Sequence, residues 1–441
     1  MVVKVGMVSL GCPKNQMDAE LMLAKLEAAG YTITADSGLA DVVIVNTCGF
    51  IEDAKQESID NILEFAQLKK EGQIKRIIVT GCLAERYQRE LVNEMPECDA
   101  VLGLGANGDI VEAVRKVTEG ESVHCFPPKE CWSLEGDRLQ TTPHFFAYLR
   151  IADGCNNRCA YCAIPFIRGG LRSRPMDNIL AEAKKLVADG VKELVLVAQD
   201  TTVYGTDLYG DYRLAALLRE LCKIESLHWI RLLYCYPEHI TDELLEVMAS
   251  EEKVLPYMDL PIQHASGNVL RLMNRKGDRD TLTALIRRIR EKVPNITLRT
   301  TVMTGFPGES EEDFEELCAF IQDVKFERLG CFAYSLEEGT AAAQLPNQVP
   351  EEEKVRRRDI VMEEQSRISD FHNEGQVGKV LTVLVESFDK YAECWFGRSE
   401  GDAPDIDGKV FFVPKGRVNP GDLVQVEITD TMDWDLIGEM I

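Results

Sequence analysis

The sequence predicts an α/β protein in three successive parts: an N-terminal open parallel α/β domain, a central partial (β/α)6 barrel and a small C-terminal antiparallel β-barrel. Three patterns predict it. Apolar runs of strand length alternate with helical periodicity over residues 1–125. The same alternation returns, in about six units, between Phe145 and Tyr334, and short β-rich runs broken by turns take over after Gln376. Strands alternating with helices imply parallel sheets, whereas successions of short strands close into sandwiches or barrels.

In the first part, strand patterns run from Lys4 to Leu10, Val42 to Asn46 and Arg76 to Thr80, with helical patterns from Met17 to Ala29 and Ala54 to Lys69. The series ends near Gly120, and Pro127, Pro128 and the polar stretch to Pro143 read as a linker. The central part, 141–336, carries strand patterns at Phe145 to Ile151, Glu193 to Ala198, Trp229 to Tyr234, Tyr257 to Ile262, Thr297 to Met303 and Arg328 to Tyr334. Helical patterns such as Asn178 to Ala188 and Phe314 to Val324 separate them. Six units fall short of the eight that close a barrel, so an open version is expected. Residues 337–374 supply a polar loop and one charged helix, Glu351 to Glu374. In 375–441, runs at Val380 to Glu386, Glu393 to Gly397, Lys409 to Val413 and Leu423 to Thr429, with turn signals at Asp407-Gly408 and Pro420-Gly421, predict about five strands.

Composition narrows the function. The 441 residues exceed one ordinary core, and 45% hydrophobic with 28% charged residues is the balance of a folded rather than a disordered chain. No stretch of 18 apolar residues occurs, and the N-terminus leads directly into a strand, so neither a membrane span nor a secretion signal is expected and a cytoplasmic location is. A net charge of −25 disfavours general attraction to nucleic acid or anionic membrane and suits a basic partner. Fourteen cysteines in a large chain of this kind point to metal binding or catalysis rather than disulfides. With six histidines and no His-Glu-x-x-His, a histidine-rich zinc enzyme is disfavoured.

The sharpest local signal is Cys155-Asn156-Asn157-Arg158-Cys159-Ala160-Tyr161-Cys162, placed directly after the first strand of the barrel series. Three thiolates in one short loop suffice for three irons of a 4Fe-4S cluster and leave the fourth iron open. That iron is a chemical site, suited to chelation by the amino and carboxylate groups of S-adenosyl-L-methionine and to its reductive cleavage. A zinc knuckle needs a fourth ligand, and Cys131 and His144 are remote in sequence.

Cys12, Cys48 and Cys82 form a second set by topology. Each closes a strand pattern, and in an open parallel sheet the carboxyl ends of strands face the crevice where ligands bind. The competing reading is three separate buried thiols, which are common in sheets. Gly11, Gly49 and Gly81 suit loops passing close to a bulky cofactor. The other eight cysteines show no ligand spacing and read as packing residues or free thiols, and His264, at a strand end, reads as a site residue or a hydrogen-bonded structural one.

Together these residues resemble the radical S-adenosylmethionine methylthiotransferases over essentially the full chain. Asp153-Gly154-Cys155 through Arg168-Gly169-Gly170, Arg172-Ser173-Arg174-Pro175, Val197 to Thr202 and Gly305-Phe306-Pro307-Gly308-Glu309 match that family, and the last segment resembles a TRAM domain. Ser9-Leu10-Gly11-Cys12-Pro13-Lys14-Asn15 looks like the branch acting on ribosomal protein S-twelve. The resemblance implies two 4Fe-4S clusters, a radical cluster on Cys155, Cys159 and Cys162 and an auxiliary one on Cys12, Cys48 and Cys82. It implies transfer of a methylthio group to the β-carbon of an aspartate, with an electron donor such as a flavodoxin or ferredoxin. It also implies that Gln199 meets the amino-acid part of S-adenosylmethionine and that Thr304 and Gly305 border its adenosyl part. Tyr161 would shield the cluster or touch adenine. Ordinary turn or packing roles compete at all four positions.

Charge bears on the branch. From Asn373 to Ile441, 14 acidic side chains face 6 basic ones. A module gripping a phosphate backbone should be basic, whereas this one suits a basic ribosomal protein. Direct nucleic-acid binding is therefore not expected, and a tRNA methylthiotransferase is the nearer alternative, an iron-sulfur carrier or electron-transfer protein the farther one.

Overall fold

Val42, Val43, Ile44 and Val45 are all fully buried, and alternate side chains of such a strand point to opposite faces, so the first sheet must be covered on both sides. The computed structural model describes residues 3–441. Strands β1 (Lys4–Ser9), β2 (Thr32–Thr34), β3 (Val42–Thr47), β4 (Arg76–Gly81), β5 (Ala100–Leu102) and β6 (Val123–Cys125) form a parallel sheet in the order β2-β1-β3-β4-β5-β6. Helices α1 (Pro13–Ala28) and α4 (Ile110–Glu119) pack Leu21, Met22, Leu26, Ile110, Val114 and Val117 against Val42 and Ile44 on one face. On the other, α2 (Glu52–Lys70) and α3 (Cys82–Glu94) pack Ile62, Phe65, Leu83 and Leu91 against Val43 and Val45.

Next along the chain come β7 (Phe146–Arg150) and the short antiparallel pair β8 (Ala152–Asp153) and β9 (Arg172–Ser173), with α5 (Ile164–Arg168) between the last two. Strands β10 (Glu193–Val197), β11 (Trp229–Leu232), β12 (Val254–Asp259), β13 (Thr297–Thr304) and β14 (Arg328–Ala333) join β7 in a second parallel sheet whose spatial order is the chain order. That is the expected six-stranded open barrel. The last segment closes β15 (Val380–Asp389), β16 (Cys394–Ser399), β17 (Val410–Val413), β18 (Leu423–Met432) and β19 (Asp435–Met440) into a barrel of order β15-β16-β17-β19-β18. The barrel is not wholly antiparallel, because β17 and β19 pair in parallel.

The chain divides into two compact units. One comprises the chain up to Thr142 together with Ala152–Arg174 and Ser335–Ala343; the other comprises Pro143–Ile151, Pro175–Tyr334 and Gln344–Ile441. In the second unit, buried Glu193 accepts from Arg231 Nε at 2.7 Å and pairs with Arg398 at 2.6 Å, and the Tyr257 hydroxyl donates to Asp407 at 2.6 Å. These contacts fasten the open barrel to the terminal β-barrel. Among the described residues no helix is long and apolar enough to cross a membrane.

Three strands of the first sheet, β2, β5 and β6, have three residues each, too few for a periodic signal, and were not expected. Helix α1 starts at Pro13 rather than near Met17, with proline in its first turn. Its opening residues Lys14, Asn15 and Asp18 are polar and buried, so the apolar period begins later than the helix.

Candidate functional site

Strands β1, β3 and β4 are neighbours in the first sheet, and each leads directly into a cysteine. Cys12 is the N-cap of α1, Cys48 follows β3 and Cys82 opens α3. The fold brings these three together. A Cβ built on Gly11, at φ +90°, would stand 2.8 Å from Cys48 Sγ, so only glycine lets the Cys12 turn lie this close to the neighbouring thiol. Burial pushes the Cys82 thiol up to about 12, opposed by the Arg168 charge and reinforced by Cys12 and Cys48. Burial also raises Cys48. Burial acts the same way on Cys12, but the charges of Lys14 and Arg168 and the backbone N–H groups of Asn15 and Lys14 outweigh it and hold this thiol below its ordinary range.

Asn15 organises the three turns. Its Nδ2 donates to the Leu10 carbonyl at 2.9 Å and the Thr47 carbonyl at 2.8 Å, which leaves Oδ1 to accept from Arg168 Nη2 at 2.7 Å and Cys82 Sγ at 3.4 Å. Asn46 Nδ2 adds bonds to Ser9 Oγ at 3.0 Å and the Asn15 carbonyl at 2.7 Å. Polar groups this deep in a sheet must be satisfied, and here their partners are the loops that carry the thiols.

The Cys155, Cys159 and Cys162 loop belongs to the same compact unit. The Cys155 amide donates to the Gly169 carbonyl at 3.0 Å, Cys162 N–H to the Cys159 carbonyl at 3.1 Å and Ala342 N–H to the Ala160 carbonyl at 2.8 Å. Gly154, at φ +75°, precedes the loop, and a Cβ there would sit 2.0 Å from the Gly170 carbonyl oxygen. Burial lifts the Cys162 thiol to about 12; the Ile164 N–H opposes this, while Cys159 and Cys155 add to it. Tyr161 is partly buried between two of the thiols.

Both triplets offer free thiols, the donor chemistry that a thiolate-held cluster needs. Thiolate is the ligand form, and binding metal to a buried thiol releases its proton. Among the described residues no three Cys, His, Asp or Glu side chains group as they would around a single ion. In a cubane each cysteine holds its own iron, so the ligand sulfurs would stand farther apart than around one zinc, and three thiols in a set would leave one iron open.

The remaining expected residues lie in the second unit. Gln199 is partly buried two residues beyond the end of β10. Thr304 ends β13 fully buried, its hydroxyl donating to the Lys354 carbonyl at 3.2 Å. The Gly305 N–H donates to Glu309 Oε2 at 2.9 Å, and Glu309 Oε1 pairs with Arg357 at 2.7 Å, so the Gly305 to Glu309 turn is tied to the helix Glu351–Glu374. His264 is fully buried; its Nδ1 accepts from Ser266 N–H at 3.0 Å and its Nε2 lies 3.5 Å from Glu309, a structural setting. Sequence reasoning missed Asn15, Asp18 and Arg168 as members of the site. Arg168 stands 153 residues from Asn15 and 150 from Asp18, so no local spacing announces their meeting.

Proteins described as ribosomal protein uS12 methylthiotransferase RimO align end to end. That of Pelotomaculum thermopropionicum is 51% identical, covering 100% of both chains, and that of Clostridioides difficile is 47% identical, covering 100% of this chain and 99% of its own. The chain belongs to the RimO family of methylthiotransferases. It is therefore a radical S-adenosylmethionine enzyme that transfers a sulfur-containing group, and membership implies a 4Fe-4S cluster and S-adenosylmethionine. The Uncharacterized protein family UPF0004 matches residues 4–103, the Radical SAM superfamily 149–321 and the TRAM domain 377–441. Among solved structures, the radical S-adenosylmethionine methyltransferase TsrM from Kitasatospora setae superposes with a TM-score of 0.58 at 14% identity, covering 87% of this chain and 81% of that one. At that identity the likeness is one of fold.

Proposed function

We propose that this chain adds a methylthio group to the β-carbon of an aspartate in ribosomal protein uS12, using two 4Fe-4S clusters. The observation that carries the proposal is the presence of two separate cysteine triplets in one compact unit, in a chain 51% identical over its full length to a protein described as acting on uS12.

Cys155, Cys159 and Cys162 would hold the radical cluster and leave one iron to S-adenosylmethionine, and Cys12, Cys48 and Cys82 would hold the auxiliary one. Bound together, these groups supply one-electron cleavage of S-adenosylmethionine, removal of hydrogen from an unactivated carbon and a methylated sulfur for transfer. The chain contributes position. Asn15 fixes the turns after β1 and β3, and the Gly169 carbonyl holds the start of the second loop. Gln199, Thr304, Gly305 and Tyr161 are proposed as S-adenosylmethionine contacts from their motifs.

The acidic terminal segment favours the protein substrate over tRNA, since it repels a phosphate backbone and attracts a basic ribosomal protein. A cytoplasmic location and a low-potential donor of the flavodoxin or ferredoxin kind follow from the same reading. Anaerobically reconstituted protein should bind about eight irons. With reductant it should form 5′-deoxyadenosine and methylthiolate a uS12 peptide carrying the target aspartate. Product on a tRNA anticodon stem-loop and none on the peptide would overturn the substrate assignment.

A further inference from the structure

Arg168, the last residue of α5, is buried to 2% exposure, six positions beyond Cys162. Its guanidinium nevertheless lies against Cys82 of the other triplet. Nη2 approaches Cys82 Sγ at 3.6 Å, Asn15 Oδ1 at 2.7 Å and Asp18 Oδ2 at 2.8 Å, while Nη1 reaches Asp153 at 3.3 Å. Its charge acts on the Cys12, Cys48 and Cys82 thiols alike. The next residue, Gly169, takes the Cys155 N–H on its carbonyl. One short path therefore runs from Cys82 through the Arg168 side chain and backbone to Cys155.

A protonated Cys82 donates to Asn15 Oδ1. Once that proton is displaced by metal, the sulfur becomes an acceptor, Asn15 Oδ1 no longer suits it, and the Arg168 N–H is the donor facing it. N–H groups hydrogen-bonded to cluster sulfur, and nearby positive charge, favour the reduced state because they stabilise the added electron. We propose that Arg168 is a positioning residue that sets the electron affinity of an auxiliary cluster on Cys12, Cys48 and Cys82 and ties it to the loop carrying the radical cluster. The inference rests on the two-cluster reading. The step concerned is gain of one electron from an external reductant, with no bond made or broken.

The test uses the full chain with Cys155, Cys159 and Cys162 replaced by alanine, so that one cluster remains. Its iron content and its midpoint potential, followed by EPR during a redox titration, are compared with those of the same chain bearing Arg168→Lys or the pair Arg168→Met and Asp18→Asn. Lysine keeps the charge without the fork, and the double change removes arginine without stranding Asp18. Both variants are expected to hold the iron of the parent and to be harder to reduce. For the double variant the reduced-to-oxidised ratio at a fixed potential should fall about tenfold, ~59 mV for one electron, and for lysine by less. Midpoints equal to the parent's, or loss of iron from both variants while they remain folded, would overturn the role of Arg168. A parent holding no iron would instead overturn the two-cluster reading beneath it.

Discussion

The amide of Cys155 donates to the carbonyl of Gly169 at 3.0 Å, so the residue that begins the second cysteine loop and the residue that follows α5 close one turn. Gly154 makes that closure sterically possible, its α-hydrogen standing where a Cβ would meet the Gly170 oxygen. Gly154→Ala should therefore open the turn at a strain of about 1–3 kcal/mol. Reconstituted Gly154→Ala protein should lose roughly half its iron, from the Cys155, Cys159 and Cys162 set, and with it 5′-deoxyadenosine formation. Full iron and unchanged activity would remove the turn from the account.

Asn15 bonds to two strand-end loops and to Arg168 with one side chain. Asn15→Ala leaves the part-buried Leu10 carbonyl and the buried Thr47 carbonyl without these donors. At about 1–3 kcal/mol for each such group, the first unit should lose roughly 2–6 kcal/mol. Denaturant unfolding of the cluster-free protein, monitored on that unit, measures it.

Glu193 supplies the pH dependence of the second unit. Burial opposes its ionisation, but the charges and hydrogen bonds of Arg398 and Arg231 prevail and hold the carboxyl below the usual range. A depressed carboxylate contributes stability that is fully present above the unfolded glutamate value of about 4.3 and is lost as pH falls through the lower folded value. Glu193→Gln, which leaves two buried guanidinium groups short of a counter-charge, should cost about 3–5 kcal/mol at neutral pH. The gap in thermal midpoint between wild type and variant should narrow on acidification below that range. A gap independent of pH would contradict the ionised assignment.

Glu427, Asp430 and Glu439 are exposed on the terminal barrel. If acidity steers a basic ribosomal partner, replacing them by Gln, Asn and Gln should slow association with uS12 at low salt by up to about tenfold. High salt should erase the difference. Stopped-flow association at two ionic strengths reads both effects, and an unchanged rate at low salt would detach the charge from recognition.

Much of this was legible in the sequence because its signals are periodic. Strands β1, β3 and β4 and the six strands of the open barrel carry apolar residues over four to eight positions, and Cys155 to Cys162 is a spacing that survives without a structure. The strands β2, β5 and β6, at three residues each, carry no period. The β17–β19 pairing depends on closure of a barrel rather than on either strand. Arg168 was visible only as part of a motif, since its role is made by Asn15, Asp18 and Cys82, brought to it by the sheet.

The central claim is that two cysteine triplets serve methylthio transfer to uS12. Mass analysis of uS12 and of tRNA from cells lacking this chain, and from the same cells complemented with it, tests that claim most directly. The account predicts that the methylthio mark on the uS12 aspartate disappears and returns with the intact chain but not with one lacking Cys12, Cys48 and Cys82, while tRNA stays unchanged. Loss of methylthio groups from tRNA alone, with uS12 still modified, would contradict it.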